Sequence, residues 1–184
     1  MEERNIPDFK WWFENNLCIC RYPMIKEITD GIYKDYDIFI NVSDEHWLGY
    51  NQLILKNGKL GYWFPMGEIV KDMGLVSIYG SLSVLYEAYQ ENKKVVLHCQ
   101  AGRNRSPMIG ECLYFMVNGD FLEPTLETIL EINCKKGYLP ELHKMISFLK
   151  YTKEALDNKD KFLGGIYDWI LEQSFGDKTA LKKK

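Results

Sequence analysis

The stretch from Val95 to Val117 constrains this chain more than any other. Val95-Val96-Leu97 is a continuous apolar run of the kind found in strands buried on both faces. It leads into His98-Cys99-Gln100-Ala101-Gly102-Arg103-Asn104-Arg105-Ser106, and helical character follows from Pro107 to Val117, with Gly119 as the stop. Pro107 suits a first helical turn, where its missing N–H costs nothing. A buried strand, a short loop and a helix in succession call for a layered α/β fold, a sheet with helices packed on it.

The remaining pattern agrees. Leu17-Cys18-Ile19-Cys20 reads as a short strand before Tyr22-Pro23, and Tyr36 to Val42 as a second, rich in aromatic and β-branched residues. Gln52 to Leu55 and Lys59 to Phe64 flank Asn57-Gly58, which predicts a two-residue hairpin between two further strands. Ile78, Leu82, Leu85, Tyr86 and Tyr89 recur at helical spacing between Ser77 and Glu91, and more helices are expected over Thr125–Lys135, Leu139–Leu156 and Phe162–Phe175. The predicted fold is α/β, with a central mixed, mainly parallel sheet of about four to five strands flanked by helices. Residues 1–176 are expected to form one domain, and residues 177–184 a basic tail ending in Lys182-Lys183-Lys184.

Bulk charge removes some functions. A net charge of −3 offers no general attraction for nucleic acid or an anionic membrane, so an anion must be met by a local positive site. The acidic start, Met1 to Asp8, is not a signal peptide, and no stretch is apolar enough to span a membrane. A cytoplasmic monomer is expected. The five cysteines are an odd number without a secretory signal, which argues against a disulfide framework, and no second Cys or His pair stands at zinc-ligand spacing. No metal or cofactor is expected, and Cys18, Cys20, Cys112 and Cys134 read as buried structural thiols.

The loop before the second helix carries the chemistry. It is aimed at a helix N-terminus, where unpaired N–H groups and the positive end of the dipole favour an anion. A cysteine at its start, Cys99, has its thiolate stabilised there. An arginine at its end, Arg105, can hold two oxygens of a phosphate with its planar fork. Between them, successive amides can wrap one tetrahedral anion, and Gly102 lets the backbone approach the ligand and take positive φ.

His98-Cys99-x-x-Gly102-x-x-Arg105-Ser106 resembles the signature of the protein tyrosine phosphatases, and the chain's size is similar to the compact dual-specificity branch. The resemblance implies that Cys99 attacks phosphorus to give a phosphocysteine, which water then hydrolyses. It implies that Arg105 binds phosphoryl oxygens, Ser106 donates to the cysteine sulfur, and His98 orders the loop. By the same resemblance the amides of Gln100, Ala101, Gly102, Arg103 and Asn104 bind phosphate, with sulfate and vanadate as stand-ins. Trp63-Phe64-Pro65-Met66-Gly67-Glu68 is similar to the loop that carries the family's acid, with Glu68 in the place of an aspartate. Asp72 is the next candidate for that proton, and Asp44 or Glu45 the third. The Arg103 side chain is open to either substrate contact or an ion pair.

Gln100 and Asn104 are neutral where lipid-specific relatives tend to be basic, which favours a phosphorylated protein, or a small phosphomonoester, over a phosphoinositide. Two other readings remain: a phosphopeptide-binding pseudophosphatase, and a cysteine enzyme on a rhodanese-like or arsenate-reductase-like scaffold.

Overall fold

A computed structural model describes residues 7–45, 48–67, 71–122, 124–137 and 139–158. The expected helix at Phe162–Phe175 and the basic tail lie outside the described residues, as does Glu68.

Four strands build the sheet: β1 (Leu17–Cys20), β2 (Ile38–Asn41), β3 (Leu60–Trp63) and β4 (Val95–His98). Their order across it is β1-β4-β2-β3, and every pairing is parallel. The expected mixed sheet is therefore corrected to a wholly parallel one among the described residues. The register aligns Cys20, His98, Asn41 and Trp63 in one row, so all four strands end together. The segments that leave them gather along one edge, where parallel α/β sheets place their ligand crevices.

Side chains alternate across the central strands as the two-residue period requires. Ile38, Ile40, Val95 and Leu97 face a large core that includes Leu82, Leu85, Ile109, Leu113, Phe148 and Leu149. Phe39 and Val96 face a smaller one with Ile28, Tyr50 and Ile54. The large core is closed by α4 (Lys71–Gln90), α5 (Arg105–Asn118) and α7 (Leu142–Asp157), with α6 (Pro124–Lys135) beside them. The smaller one is closed by α2 (Ile25–Thr29) and α3 (Leu48–Lys56).

One further helix, α1 (Phe9–Asn16), precedes β1. Asp8 caps it by accepting from the Trp11 amide at 3.0 Å. Trp12 is sealed inside, its indole N–H donating to the Lys93 carbonyl at 3.1 Å, while Trp11 stays exposed.

The predicted hairpin is a correction. Gln52 to Leu55 belong to α3, and Asn57-Gly58 ends that helix. Gly58 has φ +71°, its N–H reaches the Leu55 carbonyl at 2.9 Å, and the Lys59 N–H reaches Ile54 at 3.2 Å. This is the paired closure of a helix C-terminus on a left-handed glycine. Asn-Gly supplies positive φ equally well for a hairpin and for a helix end, so the dipeptide alone does not choose between them. With a helix between β2 and β3, the two strands run parallel. Among the described residues, no helix is long and apolar enough to cross a membrane.

Candidate active site

β4 delivers His98 and Cys99 to the carboxyl edge of the sheet, and the chain turns through Gln100 to Asn104 before α5 begins at Arg105. Gly102 makes that turn possible. Its φ is +70°, and a Cβ there would lie 2.5 Å from both the Arg21 nitrogen and the Cys20 carbonyl carbon. The loop is thus pressed onto the end of β1, and the Tyr22 N–H donates to the Gln100 carbonyl at 3.1 Å. Only a residue without a side chain fits this approach.

Cys99 is 2% exposed, and its sulfur receives the Gly102 N–H at 3.2 Å and the Ser106 hydroxyl at 3.3 Å. Burial by itself would push the thiol up. Hydrogen bonds from the Ser106 hydroxyl and from the Ser106 and Gly102 amides, with the charge of Arg105, outweigh it and hold the thiol below its ordinary range. Cys112, sealed in apolar surroundings, is pushed up instead, and burial raises Cys134 to about 11.

A lowered value means that Cys99 reaches its nucleophilic form at a lower pH than the other two thiols. Replacing Ser106→Ala removes a bond that favours the thiolate, so the pH midpoint of Cys99 alkylation by iodoacetate is expected to rise. A midpoint that stays in place would show that the hydroxyl does not stabilise the charge.

Arg105 is almost fully buried for so polar a residue, at 9% exposure. Its Nη1 donates to Asp44 Oδ1 at 2.6 Å and to the Met66 carbonyl at 2.9 Å. Both bonds use one nitrogen, so among the described residues the Nε–Nη2 edge is open to a two-oxygen grip. Asp44 follows β2 and Met66 follows β3, so two neighbouring strand ends fix the fork from behind. The bond from Arg105 holds the Asp44 carboxyl below its usual range. Asp44 is therefore ionised at neutral pH and forms an ion pair with Arg105. Sequence reading weighed it only as an acid, because a partner 61 residues away leaves no local signal.

The other expected site residues are also placed. His98 is fully buried, with Nε2 2.7 Å from the Tyr50 hydroxyl. Gln100 is exposed and donates to Glu45 Oε1 at 2.8 Å. Ala101 and Arg103 are exposed at the loop tip. Asn104 Oδ1 accepts from Asn133 Nδ2 at 3.2 Å, a tie from α6 that the sequence did not suggest. Asp72 lies in the first turn of α4. Tyr50 and Asn133 were not legible as site residues, since neither lies in a recognisable motif; Met66 lies in the Trp63–Glu68 segment, but the contact of its carbonyl with Arg105 depends on the fold.

No family model and no curated protein matches the chain. Solved structures do match its backbone. Tk-PTP in its active form is 22% identical, with a TM-score of 0.52 over 77% of this chain and 94% of that one. PTPMT1 is 12% identical, with a TM-score of 0.53 over 81% of this chain and 96% of that one. A putative phosphatase (DUF442) from Shewanella putrefaciens CN-32 is 13% identical, with a TM-score of 0.56 over 74% and 85%. The chain has the fold of the compact tyrosine-phosphatase-type proteins. On this fold the Cys99–Arg105 loop joins the central strand β4 to α5, and the partners of Arg105 come from the neighbouring strand ends.

Proposed function

We propose that the chain is a cysteine-dependent phosphatase that hydrolyses phosphomonoesters through a phosphocysteine, with phosphotyrosine and phosphoserine or phosphothreonine of proteins as substrates. The observation that carries this reading is the Cys99 sulfur, held by Gly102 and Ser106 inside a loop that ends in a buried Arg105. A thiol so placed has its charge stabilised without any external base.

In the first step the Cys99 thiolate attacks phosphorus, forming an S–P bond as the P–O bond to the leaving group breaks. The Nε–Nη2 edge of Arg105 and the amides from Gln100 to Asn104 take the charge on the phosphoryl oxygens. The leaving oxygen needs a proton, and Glu68 is the residue this reading assigns to it. Support comes from its chemistry and its place in the sequence, two residues after the Met66 that braces Arg105. In the second step water attacks phosphorus, the S–P bond breaks, and inorganic phosphate leaves as the Ser106 hydroxyl stabilises the departing thiolate. His98, fixed by Tyr50, holds the entrance to the loop.

The rim supports a protein substrate over a multiply phosphorylated lipid. Gln100 and Asn104 add no positive charge, while Asp44, 57% exposed, and exposed Glu45 add negative charge beside the pocket. With Asp44 paired to Arg105, exposed Arg103 at the loop tip is offset by Glu45, so extra phosphates find no net attraction there.

Hydrolysis of two aryl phosphates, one with a good leaving group and one with a poor one, tests the reading. Glu68→Gln is expected to slow the poor one by about 10²–10⁴-fold and the good one far less. Equal effects would remove Glu68 from the acid role. No turnover of either ester between about pH 5 and about pH 8 would sink the enzyme reading and favour a phosphopeptide-binding module.

A further inference from the structure

Two polar side chains at the end of β2, Asn41 and Ser43, are fully buried and take no part in the phosphate chemistry described above. A buried amide costs free energy unless its donor and acceptor are met. Both ends of the Asn41 side chain are met, and the partners all belong to the turn that follows the strand. Its Oδ1 accepts from the Ser43 N–H at 2.9 Å and lies 2.7 Å from the Ser43 hydroxyl. Its Nδ2 donates to the Glu45 carbonyl at 3.0 Å, and the Ser43 hydroxyl stands 2.9 Å from that same oxygen. From β3, the Trp63 indole N–H donates to the Ser43 carbonyl at 2.8 Å.

Asp44 is the residue these bonds enclose. Ser43 before it and Glu45 after it are both pinned, so the backbone of Asp44 has little freedom left. Its own side chain is more than half exposed, so core packing does not aim it. The direction of the carboxylate toward Arg105 Nη1, 2.6 Å away, is therefore inherited from the turn. Asn41 is in register with both His98 and Trp63. One row across the sheet thus delivers Cys99 from β4 and the partner of Arg105 from β2.

We infer that Asn41 is a positioning residue for catalysis: with Ser43 and Trp63 it holds the turn that aims Asp44 at Arg105, and so sets the phosphate clamp before an anion arrives. Its effect on turnover rests on the phosphatase reading; its effect on anion binding does not. Without the Asn41 amide the turn samples other conformations, and Asp44 leaves Arg105 in some of them. The fork is then held by the Met66 carbonyl alone. A guanidinium that the anion itself must order binds it more weakly and meets the developing charge less well.

A double-mutant cycle in the full chain, Asn41→Ala against Asp44→Ala, tests this. Its two readouts are kcat/KM for an aryl phosphate and the phosphate concentration that half-protects Cys99 from iodoacetate. Asn41→Ala is expected to lower kcat/KM by about 10–10²-fold. It should also raise the half-protecting concentration by about tenfold. In the Asp44→Ala background the same replacement should change either quantity by less than about twofold, because the residue it acts through is gone. An equal loss in both backgrounds would overturn the inference. So would a lowered melting temperature with an unchanged half-protecting concentration, the mark of a purely structural role. If circular dichroism shows that Asn41→Ala does not fold, Trp63→Phe, which removes the N–H and keeps an aromatic ring, replaces it in the cycle with the same outcomes deciding. If the native chain binds phosphate but turns over no ester, the phosphatase reading has failed, and the protection readout still decides whether Asn41 sets the clamp.

Discussion

Arg105→Lys should lower kcat/KM for an aryl phosphate by about 10²–10³-fold while leaving the fold intact. The guanidinium is planar, and its orientation is set before substrate arrives. Nη1 is anchored to Asp44 at 2.6 Å and to the Met66 carbonyl at 2.9 Å, and the proposed function gives the opposite edge to the anion. A lysine keeps the charge but offers a single point, and it cannot satisfy the two anchors and two phosphoryl oxygens together. Charge on those oxygens has to be met in the transition state, so the loss falls on kcat/KM. Steady-state kinetics with circular dichroism as the folding control checks this. A loss no larger than that of an ordinary surface substitution would show that Arg105 is not the clamp.

Gly102→Ala carries the second large expected effect. The φ of +70° is costly for a residue with a Cβ, and the added carbon would meet the backbone at Cys20 and Arg21 at 2.5 Å. Backbone cannot rotate away as a flexible side chain can, so the loop has to shift. A shift turns the Gly102 N–H away from the Cys99 sulfur and spoils the cradle. Turnover is expected to fall by about 10²-fold. Because a bond that lowers the thiol is lost, the alkylation midpoint of Cys99 should move upward together with that fall. Unchanged turnover would mean that the loop tolerates another path.

Much of this was legible in the sequence because it is local. β4, the loop and α5 are contiguous, and their signals lie within the same stretch: the apolar Val95-Val96-Leu97, the glycine at 102 and the stop at Gly119. The central strands β2 and β4 were clear because burial on both faces leaves a run of apolar residues. Failure came where one local signal serves two structures. Asn57-Gly58 closes α3 rather than a hairpin, and β2 and β3, with that helix between them, pair in parallel. The bracing of Arg105 by Asp44 was not legible, because it joins loops after β2 and β4 that only the sheet order brings together. The half-burial of Cys18 and Cys20 depends on β1 lying at an edge, which four residues of sequence do not reveal.

The Asp44–Arg105 pair also fixes a pH dependence. Because Arg105 holds the Asp44 carboxyl below the usual range, the pair persists at pH values where free aspartates begin to protonate. Loss of the clamp's orientation from this cause therefore belongs to strongly acidic solution only.

The central claim is that Cys99 itself becomes phosphorylated. A single-turnover reaction, quenched in denaturant at neutral pH and mapped by mass spectrometry, addresses it most directly. The account predicts phosphate on the peptide containing Cys99, which disappears as inorganic phosphate forms and is never seen in Cys99→Ser. Continued turnover with no phosphate on Cys99, or with phosphate on another residue, would contradict it.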